Sequence, residues 1–148
     1  MATKISVFNT ALGYMGKTAL QSPEDDDENG RTLRSHWVPA VDAAFESGGW
    51  NFAMKRVQLS RTSPAPTFGF EYYYNLPSDW QRIIYVSATG FENDPLLFYE
   101  EEDGKIATNA DRVYLKYVSN LSRFEVGKWS QAFADYVAGE LADRSARS

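Results

Sequence analysis

The sequence contains no cysteine. That excludes a disulfide scaffold, a thiolate zinc site, an iron–sulfur centre and a cysteine nucleophile. It has one histidine, His36, so a multi-histidine metal site is excluded as well. Long apolar runs are missing. The longest uncharged stretch near the start, Ile5 to Gly16, spans 12 residues and includes Ser6, Asn9 and Thr10, whereas a membrane helix needs about 20 apolar residues. One lysine, a broken apolar core and no small-residue cleavage site make it a poor signal peptide. The chain is expected to be soluble where it is made and to engage no membrane. There is no P-loop, no G-x-G-x-x-G and no G-x-S-x-G elbow. Positive charge is the minority: 15 Lys and Arg stand against 20 Asp and Glu, a net charge of −5. An acidic chain is repelled by a phosphate backbone, which argues against a general nucleic-acid binder. The acid is clustered, because Glu24–Glu28 and Glu100–Asp103 hold nine of the 20 acidic residues. Without those two runs the chain would be net positive, so its charge is patchy.

Aromatic residues are abundant, with nine Tyr, nine Phe and four Trp, too many for a disordered chain. At 148 residues the length fits a single domain, 1–148, which buries roughly 68–70% of its unfolded surface.

Ile5, Phe8, Leu12 and Met15 recur at helical spacing, and Gly16 suits the stop, predicting a helix over 3–16. Ser22-Pro23-Glu24-Asp25 reads as a helix start. Leu33, Trp37, Ala40, Val41, Ala44 and Phe45 continue one face, predicting a helix over 22–47 that Pro39 kinks, Gly30 weakens and Ser47-Gly48-Gly49 ends. The period then changes to two. Trp50, Phe52 and Met54 read as a strand, as do Phe68 to Leu76, Arg82 to Ser87, Leu96 to Glu102, Lys105 to Thr108 and Val113 to Val118. Arg61 to Thr67, with Pro64 and Pro66, reads as a loop. Asp103-Gly104 is a hairpin signal. Trp129, Ala132, Phe133, Tyr136, Val137 and Leu141 form a last helical stripe over 126–146. The expected fold is α+β: a small bundle of the N-terminal and C-terminal helices, with an antiparallel meander of five or six strands inserted over 50–120. Trp37, Trp50, Phe52, Leu76, Trp129 and Phe133 are expected to define the core.

Few residues invite chemistry. His36 lies on the flank of its helix and is expected to be a boundary residue rather than a base. Asp25, Asp27, Asn29 and Gly30 match the opening of an EF-hand loop, but the twelfth position is His36 instead of a bidentate Glu. A solvated acidic turn is the expected reading, with no metal and no cofactor. Glu100, Glu102 and Asp79 are the candidate carboxylates for glycoside chemistry, which requires two of them to converge in a concave pocket. Three successive tyrosines, Tyr72 to Tyr74, put aromatics on both faces of a strand, and the exposed face suits a protein interface or a ligand groove.

Five motifs in order are similar to the head-to-tail adaptor, or tail tubular protein A, family of short-tailed bacteriophages. They are N-x-A-L-x-x-x-G (Asn9, Ala11, Leu12, Gly16); W-x-F-A-x-x-R-x-x-L (Trp50, Phe52, Ala53, Arg56, Leu59); and Y-x-L-P-x-D-x-x-R-I (Tyr74, Leu76, Pro77, Asp79, Arg82, Ile83). Asp103-Gly104 follows, and then Leu115-x-Tyr117 with a last helix ending Glu140-Leu141-Ala142. The resemblance implies a structural virion protein and not an enzyme. It implies a homo-oligomeric ring of about twelve copies that joins the portal protein to the tail nozzle protein in the virion neck. DNA would pass through its channel without specific binding. Family members usually continue past the last helix with a portal-docking tail. In this sequence, which runs to Ser148, portal contact is expected on the basic last turn, Arg144 and Arg147. Contact with the next tail component is expected on the loop carrying Arg61, Thr67 and Phe68. The alternative expectation is a carbohydrate- or other ligand-binding module that uses the tyrosine-rich strand.

Overall fold

A computed structural model describes residues 1–48 and 50–147. Among the described residues, three helices and two antiparallel sheets form an α+β fold, with helices at both ends of the chain and strands between. The chain divides into two compact units, Met1–Ala53 with Leu121–Ser148, and Met54–Asn120. Among the described residues no helix is long and apolar enough to cross a membrane.

The first unit is helical. Helix α1 (Lys4–Tyr14) opens on a capping box: Thr3 Oγ1 accepts from the Ser6 amide, and the Thr3 amide donates to Ser6 Oγ. It closes at Gly16, whose φ of +69° lets the Lys17 amide reach back to the Leu12 carbonyl at 2.8 Å. Helix α2 (Glu28–Glu46) starts six residues later than its sequence pattern predicts, with Asp27 as the cap accepting from the Gly30 amide at 2.7 Å. Side chains take up the preceding backbone instead. The Asp25 carboxylate accepts the amides of Gln21 and Ser22, and Arg34 donates to the carbonyls of Pro23 and Asp25. These local bonds outcompete a helical first turn. Gly30 is required there, since a Cβ would stand 2.2 Å from the Asp25 carbonyl oxygen. Pro39 lies on the exposed side of α2, inside a helix that continues past it. Gly49 of the expected stop lies outside the described residues.

Helix α3 (Gln131–Ala146) is capped by Ser130 and starts after a short 3-10 turn at Val126–Lys128. Its buried stripe is Phe133, Ala134, Val137, Ala138 and Leu141. Ala132 and Tyr136, expected on that stripe, are exposed. In α1 the buried face is Val7, Phe8, Ala11 and Leu12, shifted from the predicted Ile5 and Met15. A chain of rings binds the three helices. Phe8 meets Trp37 edge-on at 5.4 Å, Trp37 stacks on Trp129 at 5.6 Å, and Trp129 meets Phe133 at 4.8 Å. Phe133 also touches Phe45, Trp50 and Phe52. Trp37, Trp129 and Phe133 are buried as expected. Trp50 and Phe52 are half-buried and do not form a strand. Residues Asn51–Ala53 make a 3-10 turn that folds both rings onto Phe133, and the Trp50 indole N–H donates to the Ala44 carbonyl at 2.8 Å.

The second unit holds seven strands: β1 (Met54–Gln58), β2 (Arg61–Thr62), β3 (Tyr72–Asn75), β4 (Trp80–Ser87), β5 (Tyr99–Glu102), β6 (Lys105–Thr108) and β7 (Tyr114–Ser119). They form two sheets and not one meander, in the orders β1-β7-β4 and β2-β3-β6-β5. One apolar layer joins them, with Val86, Leu115 and Tyr117 of the first sheet against Tyr74 and Ile106 of the second. Leu76 sits at the margin of this layer, half-buried. Two predicted strands are shorter than their alternation promised. Gly69, at φ +89°, breaks the Phe68–Glu71 segment, and Leu96–Phe98 only leads into β5.

Candidate functional site

The hairpin between β5 and β6 is set by its turn. Asp103 and Gly104 both have positive φ, 51° and 70°, the backbone that a two-residue hairpin requires and that Asp-Gly accommodates. The resulting register puts Glu102 opposite Lys105 and Glu100 opposite Ala107, and Ala107 in turn faces Tyr73. The period of two then places Glu100, Glu102 and Tyr73 on the outer face of the four-stranded sheet. The β2–β3 loop borders that face, leaving a groove of about 320 Å³ lined by Phe68, Phe70, Tyr73, Glu100 and Glu102. Thr67 also lines it. The Tyr73 hydroxyl donates to Glu102 Oε1 at 2.7 Å. That bond to a carboxylate, more than burial, raises the phenol's affinity for its proton. Lys105 lies 5.6 Å over the Tyr73 ring and 3.4 Å from Asp103. The groove therefore offers ring faces and carboxylate acceptors, a surface for cations or hydroxyl-bearing groups. The Tyr73 bond engages Glu102 as an acceptor, which is not the role of an acid donating to a leaving group.

The third candidate carboxylate is elsewhere. Asp79 accepts from the Tyr117 hydroxyl at 3.0 and 3.2 Å and from Ser119 Oγ at 2.5 Å, and Lys55 Nζ is 3.6 Å away. Its carbonyl receives the Asn120 amide at 2.8 Å. Burial alone would raise the Asp79 pKa, but the hydrogen bonds from Ser119 and Tyr117 and the Lys55 charge outweigh it and hold the carboxyl below its ordinary value. Burial and the bond to Asp79 push Tyr117 up to about 12. This network ties the β3–β4 turn to β1 and β7.

The expected contact residues are placed as follows. Phe68 is 86% exposed and Thr67 is exposed beside it. Arg61 is committed to the fold: its guanidinium stacks 3.8 Å from the Tyr72 ring and donates to the Tyr74 hydroxyl and the Asp111 carbonyl. Arg144 and Arg147 pair with Glu140 and Asp143 one turn back along α3. His36 is half-buried in α2, in the helical unit, whereas all three candidate carboxylates are in the β unit. Among the described residues, no group of three or more His, Asp or Glu side chains is arranged to hold a metal.

A second concavity escaped the sequence reading. On the outer face of β1-β7-β4, Arg56, Gln58, Tyr85, Gly90 and Tyr114 line a space of about 260 Å³. Arg56 and Lys116 sit directly opposite each other across β1 and β7, a pairing between residues 60 apart in sequence that local periodicity does not reveal. No protein-family model matches the chain, and no curated protein matches it.

Proposed function

We propose that this chain is a structural virion protein, a head-to-tail adaptor that forms a ring between portal and tail nozzle and surrounds the DNA channel, and that it is not an enzyme. The observation that carries the reading is where the motif residues meet. Asp79 of Y-x-L-P-x-D and Tyr117 of L-x-Y, 38 positions apart, share one hydrogen-bonded network. Asn9 of the first motif clamps both the amide and the carbonyl of Leu20, at 2.8 and 3.2 Å. Gly16 and Asp103-Gly104 hold the positive-φ turns. Asn9, Gly16, Asp79, Asp103-Gly104 and Tyr117, which carry much of the resemblance, thus do fold-making work, as befits a structural family. Exposed Phe68, Phe91, Leu97 and Phe98 on loops of the β unit add apolar surface suited to neighbours in an assembly. Electron microscopy of the portal encoded in the same genome, with and without this protein, tests the proposal. Added ring density below the portal is expected, and an unchanged portal refutes it.

A second reading is favoured by one feature, the groove of Phe68, Phe70, Tyr73, Glu100 and Glu102. Rings beside carboxylate acceptors fit a sugar, so the alternative is a carbohydrate-binding module. Titration with oligosaccharides monitored at Tyr73 and Phe70 separates the two.

A further inference from the structure

The outer face of the β1-β7-β4 sheet carries positive charge that no ion pair among the described residues neutralises. Arg56 and Lys116 are directly opposite across the ladder, and Arg82 shares their face through its pairing with Val118. Like charges directly opposite in a sheet destabilise it. Yet among the described residues no acid pairs with Arg56, Arg82 or Lys116. Arg56 Nη1 donates to the Tyr85 hydroxyl at 2.7 Å, and that hydroxyl donates to the Gly90 carbonyl at 3.2 Å. The guanidinium is thereby held at the rim of the 260 Å³ concavity with its other N–H groups unassigned. An exposed edge strand, a fixed arginine, an adjacent lysine and flanking tyrosines form a receptor for an anionic, partly apolar group.

The same unit carries the complementary surface. The β5–β6 hairpin ends in Glu100, Glu101, Glu102 and Asp103, all exposed, and among the described residues the cation within ion-pair distance of them is Lys105, at Asp103. The two sheets pack through their inner faces, so their outer faces look in opposite directions. A chain cannot bring its own hairpin to its own Arg56–Lys116 face, but a second copy can. We infer that this face receives the acidic β5–β6 hairpin of a second copy of this chain, in a head-to-tail contact between two different patches. Such a contact propagates, and it closes into a ring when the rotation per copy permits. The inference rests on the ring-forming reading above and names the surfaces that reading leaves open.

The test uses charge-swapped full-length chains in sedimentation velocity at low salt, over concentrations up to about 1 mM, the range in which weak contacts populate. Wild type is expected to associate as concentration rises, and about 0.5 M salt should weaken this at least tenfold by screening. R56E/K116E has two acidic patches, and E100K/E102K has two basic ones, so each alone should be monomeric. Mixed together they present complementary faces again, and association should recover to within about threefold of wild type. Recovery on mixing also shows that both variants are folded. A wild type that stays monomeric throughout overturns the inference and leaves these charges as guards of two edge strands. So does a mixture that fails to recover, or a labelled DNA duplex that binds the Arg56–Lys116 face while the chains ignore each other. If the chain binds portal but the swaps leave self-association unchanged, the contact falls and the adaptor reading stands. If the swaps behave as described but no portal is bound, the adaptor reading falls and the contact stands.

Discussion

Replacing Asp79 by Ala probes the interaction that joins two of the motifs. The carboxylate receives the Tyr117 hydroxyl, Ser119 Oγ and the Lys55 charge, and its side chain is 13% exposed. Hydrogen bonds to a charged group contribute about 1.5–3 kcal/mol each. Two such bonds are lost, and the Tyr117 hydroxyl, in a residue that is 5% exposed, loses its acceptor. Lys55 is about half exposed and adds little. The expected loss is therefore about 3–5 kcal/mol, a large part of the stability of a domain this size. Urea denaturation followed at Trp80 measures it, because the other three tryptophans, Trp37, Trp50 and Trp129, belong to the helical unit. A double-mutant cycle with Tyr117→Phe isolates the pair, with an expected coupling of about 1–2 kcal/mol. The acid limb gives a second signature. The folded Asp79 pKa lies below its ordinary value, so its stabilisation is present above about pH 4 and lost as pH falls through the depressed value. Asp79→Ala should lose that part of the pH dependence. A loss under about 1 kcal/mol with no coupling would show that the network is incidental to the fold.

Tyr117 sets an alkaline limit. Its pKa is raised to about 12 from 10.0, so the folded chain keeps a proton that the unfolded chain gives up. The stabilisation is complete below about pH 10 and is lost as pH rises toward 12, by about 2–3 kcal/mol in all. Tyr117→Phe should show a shallower decline in denaturation midpoint over that range, and equal slopes would contradict the assignment. Trp50→Ala removes ring contacts with Phe133 and Tyr136 and the bond to Ala44. Because the residue is half-buried, the expected cost is about 2–4 kcal/mol, and a chemical melt shifted by under 1 kcal/mol would show the ring to be dispensable. Calcium should leave the protein unchanged, since Asp25 and Asp27 already accept backbone amides. A saturable calorimetric site abolished by Asp25→Ala would overturn that.

The parts of the fold that local chemistry specifies were readable from the residues. Gly16 marks the end of α1, Asp103-Gly104 marks a hairpin, the stripe of α2 follows from spacing, and in α3 spacing picks out Phe133, Val137 and Leu141 but puts Ala132 and Tyr136 where Ala134 and Ala138 are buried. The misreadings have physical causes. Ser22-Pro23 looks like a helix start, but Asp25 and Arg34 bind the local backbone and delay the helix to Asp27. Trp50 and Phe52 alternate like strand residues, yet both rings fold onto Phe133, a partner 83 and 81 positions away. Phe68 and Phe70 continue the tyrosine pattern, and only the positive φ at Gly69 ends it. Strand order was beyond reach, because β7 lies between β1 and β4 through pairings that no local period encodes. The groove was half legible: Glu100, Glu102 and the tyrosines were singled out, but their convergence with Phe68 depends on the β2–β3 loop. The Arg56–Lys116 face was invisible for the same reason as the strand order.

Assembly on a portal, as proposed, would show in the mass of the complex. Purified chain mixed with the portal encoded in the same genome should shift the light-scattering mass by about 200 kDa, as about twelve copies of a 16.7 kDa chain require. Removing residues 144–148 should weaken that shift if the last turn of α3 docks. A portal whose mass is unchanged at saturating chain would contradict the adaptor account.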